Sequence, residues 1–171
     1  METSLAIASR RETRRFSDRA LPPDVLERIL DAGRLAGTAS NKQPWRLVVV
    51  ESRAVRERLA EAVYAPENVR GAASVVALVG SGTGRISAFD AGRIAQNMLL
   101  AAWHEGVGST PNGLPDADEA RAALEVAEDE NVIIVLSFGY PRRPPDPESR
   151  TREEWSARAK RKPLDELVRR I

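Results

Sequence analysis

The chain has 171 residues, of which 42% are hydrophobic and 30% charged, and this size and composition are typical of one globular domain. It has no cysteine, which excludes disulfides, a thiolate nucleophile and cysteine-based metal sites. The net charge of +1 argues against nucleic acid binding as the main function.

The first half of the chain predicts two helices around one strand. After two prolines, Asp24 can cap a helix whose apolar residues recur at a helical spacing and which ends near Gly37. Residues 46–50 form a β-branched run between a proline and polar residues, which predicts a buried strand. Residues 52–64 then predict a second helix.

The second half predicts two further buried strands, over residues 74–80 and 132–138, with the longest helix between them, over residues 88–105. Because both strands are continuously apolar, we expect the sheet to be covered on both faces. Charged and polar residues interrupt the apolar stretch 91–107, so we exclude a membrane span. The N-terminus resembles no signal peptide, and we expect a cytoplasmic protein.

The C-terminal third adds two helices and a linker. Residues 116–124 predict a helix, and residues 163–171 predict another with proline in its first turn. Between them, residues 141–150 are rich in proline and form neither regular helix nor central strand. The elements indicate a single domain over residues 1–171, of α/β or α+β class.

Arginines cluster near the N-terminus at Arg10, Arg11, Arg14 and Arg15, and a second basic cluster surrounds Arg161. Guanidinium groups suit phosphate oxygens and planar polar edges, so an anionic ligand is one interpretation. On this string alone, a solvated basic segment or a nucleic acid patch is the simpler alternative.

Five short motifs follow one another along the chain. They are RRETRRF at residues 10–16, NKQPW at 41–45, DAGRIAQN at 90–97 with GVG at 106–108, FGYP at 138–141 and RKPLDEL at 161–167. In this order they resemble the nitroreductase family, over about residues 5–168. The resemblance implies an α+β fold with three layers, α/β/α, around a central mixed, mainly antiparallel sheet. It also implies an obligate homodimer with FMN in a cleft between the subunits.

The two basic clusters take on roles through this resemblance. Arg10 and Arg11 would hold the phosphate and ribityl region of FMN, Arg14 the pyrimidine edge of its ring, and Arg161 a second phosphate contact. Glu12 stands where the family commonly has a serine that bonds the phosphate. Since like charges repel, we expect its side chain to turn towards a neighbouring arginine while its backbone N–H faces the phosphate.

A second segment is implied to meet the flavin of the partner subunit, through Thr38, Ser40, Asn41 and Gln43. Asn68 is a weaker match to a polar residue near the flavin, with structural capping as an equal alternative. These residues are the reason for expecting that the cofactor site needs both subunits.

The loop containing Pro111, Asn112 and Gly113 is implied to reach the central ring, with the backbone N–H of Asn112 or Gly113 pointing at flavin N5. We interpret Trp45 as a core residue. Three polar residues of the longest helix are also interpreted as structural: Asp90 at its start, Asn97 inside it and His104 near its end.

The resemblance implies an enzyme in which NAD(P)H reduces FMN and a small flat acceptor, such as a nitroaromatic or a quinone, reoxidises it in ping-pong hydride transfer through flavin N5. No catalytic side chain and no metal are required, because the cofactor supplies the chemistry. The alternatives are other flavin chemistry on the same fold (reductive dehalogenation, flavin fragmentation or deazaflavin use) and a flavin-binding carrier or sensor with little turnover.

Overall fold

The computed structural model describes residues 1–81 and 85–171, and the side chains of residues 85–87 are not part of that description. In chain order the described elements are α1 (Thr3–Ser9), α2 (Pro23–Arg34), β1 (Trp45–Val49), α3 (Arg53–Glu61), α4 (Pro66–Arg70), β2 (Ser74–Ser81), α5 (Arg85–His104), β3 (Gly108–Asn112), α6 (Ala117–Ala123), β4 (Glu130–Gly139), α7 (Arg152–Arg158) and α8 (Leu164–Leu167). They divide into two compact units, a larger one of Arg11–Pro144 and a smaller one of Met1–Arg10 with Pro145–Ile171. One boundary falls inside the predicted linker.

The larger unit is built on a sheet with strand order β1-β2-β4-β3, in which all three neighbouring pairs are antiparallel. Outside these strands, an isolated parallel bridge joins Glu12 to Ser109 at the β3 edge. The four described strands therefore form an antiparallel sheet, and the parallel bridge lies outside them.

Helices cover both faces of this sheet. Successive residues of β2 point to opposite faces, so Leu78 packs with Ile29 of α2 and Ile94 of α5, whereas Val75 packs with Leu59 of α3 on the other side. All five of these side chains are fully buried. Full burial of one such side chain contributes roughly 1.5–3 kcal/mol, so the two apolar clusters dominate the stability of the unit. The predicted α+β class with three layers is confirmed.

The smaller unit consists of short helices, of which α1 and α7 have side-chain caps at their N-termini. The carboxylate of Glu2 accepts hydrogen bonds from the backbone of Ser4 and Leu5 and so caps α1. Thr151 and Glu154 form a reciprocal capping box at the start of α7, which packs against α1. Among the described helices, none is both long and apolar enough to cross a membrane.

Most predicted elements are confirmed to within a few residues, but two details are wrong. Asp24 does not cap α2, because Pro22 is the N-cap and Pro23 begins the helix, where its missing N–H costs nothing. Asp24 instead lies in the first turn and pairs with Arg28 at 3.0 Å. The C-terminal helix ends at Leu167 rather than continuing to residue 171.

Four described elements were not predicted. Strand β3 contains Pro111, which is tolerated because β3 pairs with β4 alone and forms an edge of the sheet. The other three elements are the short helices α1, α4 and α7. For α7 the capping pair Thr151 and Glu154 was a usable signal in the sequence.

Candidate functional site

The arginine-rich N-terminal segment lies along the edge of the sheet formed by β3. The backbone N–H of Thr13 donates to the carbonyl of Ser109 at 3.0 Å, and that of Ser17 donates to the carbonyl of Tyr140 at 2.8 Å. Phe16 between them is buried and anchors the segment in the core. The backbone of the segment is therefore held in place between these anchors.

Two glycines make this close approach possible. A Cβ atom at Gly108 would lie 2.4 Å from Oγ1 of Thr13, and one at Gly139 would lie 2.9 Å from Cδ1 of Phe16. Any larger residue at either position would force the segment away from the sheet. The glycines in the motifs GVG and FGYP thus have a packing role.

The segment forms one wall of an open groove of about 920 Å³, which we call the arginine groove. Its lining residues are Arg11, Glu12, Thr13, Arg14, Arg15, Pro141, Arg142 and Arg143. Within the described part of the chain, Arg14, Arg15 and Arg143 have no carboxylate within ion-pair distance. With five guanidinium groups against one carboxylate, the groove has an excess of positive charge that suits an anionic ligand.

The predicted site residues of the second segment also lie together, in a strained turn before β1. Ser40, Asn41 and Gln43 have φ angles of 52°, 53° and 50°, in the left-handed region that non-glycine residues rarely occupy. Each such residue costs about 1 kcal/mol or more and persists only where its surroundings fix it. All three side chains are exposed.

Two buried or half-buried side chains fix this turn. The carboxylate of Asp90 is 6% exposed and accepts the backbone N–H of Ala39 at 3.1 Å. The hydroxyl of Thr38 accepts the backbone N–H of Gln43 at 3.0 Å. The prediction that Asp90 begins α5 is wrong, because the helix begins at Arg85. The structural role of Asp90 is to hold the turn.

A cavity of about 270 Å³ lies behind the turn, between it, α5 and β4. Trp45 lines this cavity, packs against the apolar cluster of α2 and α5, and is half-buried. Its Nε1 atom is buried and has no acceptor among the described residues. Trp45 thus packs against the core as predicted, but it also lines a cavity.

Asn68 and Asn112, predicted from different segments, contact each other. Nδ2 of Asn68 donates to Oδ1 of Asn112 at 3.0 Å, and Nδ2 of Asn112 donates to Oγ of Ser137 at 3.0 Å and to the carbonyl of Val135 at 3.1 Å. All three polar residues are buried. This network fixes the end of β3. The next residue, Gly113, is held from another part of the chain, because the backbone N–H of Tyr64 donates to its carbonyl at 3.2 Å.

The remaining predicted residues have simpler surroundings. Arg10 and Arg161 belong to the smaller unit, where Arg10 is half-buried directly after α1 and Arg161 is exposed between α7 and α8. Asn97 donates from Nδ2 to the carbonyl of Ala32 in α2 at 3.2 Å, which agrees with its predicted structural role. His104 is the last residue of α5.

The structure adds residues that the sequence did not indicate. Arg142 lies against the N-terminal segment, since its backbone N–H donates to the carbonyl of Arg15 at 3.4 Å and its Nε to that of Phe16 at 3.2 Å. Arg143 and Ser137 are likewise site residues by position. Arg15, which also lines the groove, was named in the N-terminal arginine cluster but had no predicted role in the site.

One ion pair outside these features has a clear effect on ionisation. The guanidinium of Arg28 donates to both carboxylate oxygens of Glu105, at 2.9 and 3.0 Å. These hydrogen bonds hold the pKa of Glu105 below its ordinary value.

The domain thus has two polar surfaces at opposite edges of one sheet, the arginine groove beside β3 and the fixed polar turn before β1. The first suits an anionic group and the second the polar edge of a ligand. The nitroreductase family model matches residues 7–81 and 66–140. An Archaeoglobus fulgidus protein named as an NADH dehydrogenase/NAD(P)H nitroreductase is 31% identical over 87% of this chain and 96% of its own. The chain belongs to the nitroreductase family and is an oxidoreductase.

Solved structures agree on the fold. A nitroreductase family protein from Clostridium difficile 630 superposes with a TM-score of 0.82 at 24% identity, over 99% of this chain and 98% of the other. The NADPH:FMN oxidoreductase of Vibrio harveyi, solved in complex with NAD⁺, superposes with a TM-score of 0.77 at 24% identity, over 84% of this chain and 71% of the other.

Proposed function

We propose that the chain binds FMN between two copies of itself and passes electrons from NAD(P)H to a small flat acceptor such as a nitroaromatic or a quinone. The observation that carries the proposal is the arginine-rich segment held on β3, in which the exposed Arg14 and Arg15 lack carboxylate partners in the described structure. FMN appears in the name of the Vibrio harveyi protein, an NADPH:FMN oxidoreductase, and NAD(P)H appears in that of the Archaeoglobus relative.

The residues of the larger unit fit a flavin mononucleotide chemically. A phosphate dianion suits the guanidinium group of Arg11, and the pyrimidine edge of the isoalloxazine ring suits that of Arg14. Both residues line the arginine groove. The polar edge of an isoalloxazine ring suits the exposed side chains of Ser40, Asn41 and Gln43. Because the turn that carries them is already fixed, little ordering entropy is lost on binding.

Bound FMN supplies a hydride acceptor and donor at its N5 atom. The chain's own residues bind and orient the reactants. We assign Arg14 to the pyrimidine edge, where a fixed cation stabilises negative charge on the reduced ring. We assign the backbone N–H of Asn112 or Gly113 to N5, and the buried bonds of Asn112 to Asn68 and Ser137 would hold that backbone in place.

A second copy of the chain accounts for an exposed apolar groove beside the strained turn. Leu35 is 66% and Phe89 67% exposed, and both line a groove of about 580 Å³ with Gly37 and Arg93. Large apolar side chains at this exposure indicate a surface that another protein covers. The turn at Ser40 comes shortly after Leu35, so a partner on this face would bring its cofactor close to the turn.

The test is steady-state oxidation of NADH and NADPH by the FMN-loaded protein, with nitroaromatics and quinones as acceptors. Donor and acceptor use the same site in turn, so we expect parallel lines in double-reciprocal plots. The Arg14→Ala variant should lose FMN affinity, whereas Arg53→Ala, which removes an exposed arginine at the start of α3, should not. His104→Ala should stay within a few-fold of wild type.

Intersecting lines, or activity that survives removal of FMN, would contradict the proposal. FMN bound without turnover of any donor would instead indicate a carrier or sensor. Turnover restricted to halogenated substrates would indicate reductive dehalogenation.

A further inference from the structure

We infer that the arginine groove binds a second phosphate monoester besides that of the flavin, namely the 2′-phosphate of NADPH, and that the enzyme therefore prefers NADPH to NADH. This inference rests on the proposed function and specifies the electron donor.

The groove holds more cations than one phosphate needs. The family resemblance assigns Arg11 and Arg14 to the flavin, which leaves Arg15, Arg142 and Arg143 in the same groove without a role. One or two guanidinium forks suffice for a phosphate dianion, since each donates two parallel hydrogen bonds. The surplus points to a second anion.

The three remaining arginines are brought together by tertiary contacts. Pro141 forms an antiparallel bridge with Phe16, and the backbone N–H of Arg142 donates to the carbonyl of Arg15. The Nε of Arg142 is held by the Phe16 carbonyl, so its guanidinium has one bond to the protein and others to offer. The backbone that carries the cluster is therefore fixed before any ligand binds.

Several other arginines of the larger unit are neutralised by carboxylates. Arg46 pairs with Glu130 at 2.6 Å and Arg58 with Glu119 at 3.1 Å. By comparison, Arg15 and Arg143 are exposed and, in the residues described, have no carboxylate partner. Neighbouring like charges repel each other in the free protein, and a bound dianion removes that repulsion.

The chemistry of the donors identifies the ligand. NADH and NADPH differ by one phosphate monoester on the adenosine ribose, and that group is the dianion that arginine forks recognise. Because the groove is continuous with the arginines assigned to the flavin, a dinucleotide bound for hydride transfer can place its adenosine end there. The effect of the cluster should therefore appear with NADPH alone.

The test uses the FMN-loaded protein, the double variant Arg15→Ala/Arg143→Ala and the matched control Arg53→Ala. Both groove side chains are exposed, so the variant should fold, which its melting temperature checks. Calorimetric titration with adenosine 2′,5′-bisphosphate should show Kd raised by about tenfold or more in the double variant and unchanged in the control. Adenosine 5′-monophosphate should bind wild type and variant alike. In turnover, KM should rise for NADPH and stay constant for NADH.

Three results would overturn the inference. Equal binding of the bisphosphate by wild type and variant would show that the groove takes no 2′-phosphate. An equal rise in KM for NADPH and NADH would show that the groove does not distinguish the two donors. Weakened FMN binding with unchanged riboflavin binding would show that these arginines serve the flavin phosphate instead. Lack of turnover with both donors would defeat the proposed function, and the bisphosphate titration would still decide this inference.

Discussion

Replacing Gly108 by alanine should displace the arginine-rich segment from the sheet. The new Cβ would lie 2.4, 2.6 and 2.7 Å from Oγ1, Cβ and Cγ2 of Thr13, whereas ordinary contacts begin near 3.4 Å. Since Cβ of Thr13 is fixed to the backbone, the segment must move by about 1 Å, at an overpacking cost of roughly 1–3 kcal/mol. The hydrogen bond from Thr13 to Ser109 weakens at the same time, by about 1 kcal/mol.

Two measurements check this prediction. Urea denaturation should show a loss of about 2–4 kcal/mol in Gly108→Ala, and FMN titration should show affinity reduced by about tenfold, because Arg11 and Arg14 move with the segment. Thr13→Gly removes the clashing atoms, so Gly108→Ala/Thr13→Gly should be more stable than the two single changes predict, by about 1–2 kcal/mol. Additive losses, or unchanged FMN affinity in Gly108→Ala, would refute the reasoning.

Three further predictions concern stability and cofactor affinity. Asn112→Ala should lower the free energy of unfolding by about 2–4 kcal/mol in urea denaturation, because it leaves buried partners unbonded; a loss below 1 kcal/mol would contradict this. At pH values above 4.5, the ordinary pKa of Glu105, Arg28→Ala should lower the melting temperature. The difference from wild type should vanish as the pH falls through the lowered pKa that Glu105 has in the native state. A difference independent of pH would count against this prediction. Arg10→Ala should weaken FMN binding by at least about tenfold and Glu12→Ser only modestly, as flavin fluorescence can measure; the reverse order would mean that Glu12 controls the phosphate site.

The strands of the sheet were predictable where burial alone determines them. β2 and β4 lie between two helical layers, so their sequences are continuously apolar. β3 could not be found in this way, because Gly108, Pro111 and Asn112 have little intrinsic strand preference. Its conformation comes from pairing with β4, a contact that local sequence does not encode.

The candidate site was likewise predictable only in part. The arginine string and the polar turn were found through the family resemblance, and the structure places each on a defined framework. The role of Asp90 could not be predicted, because its partner Ala39 is distant in sequence and a helix interior gives no local sign of it. Arg142 and Arg143 are likewise brought to the N-terminal segment by tertiary contacts, namely the bridge between Phe16 and Pro141 and the hydrogen bonds of Arg142.

The central claim is that two copies of this chain hold FMN. The most direct test is to saturate the purified protein with FMN, pass it through gel filtration, and measure flavin absorbance and molecular mass across the eluted peak. We expect about one FMN per chain at the mass of a dimer, together with a higher melting temperature, because a ligand that binds only the native state stabilises it. A colourless protein with no thermal shift, or a flavin-loaded monomer at micromolar concentration, would contradict the account.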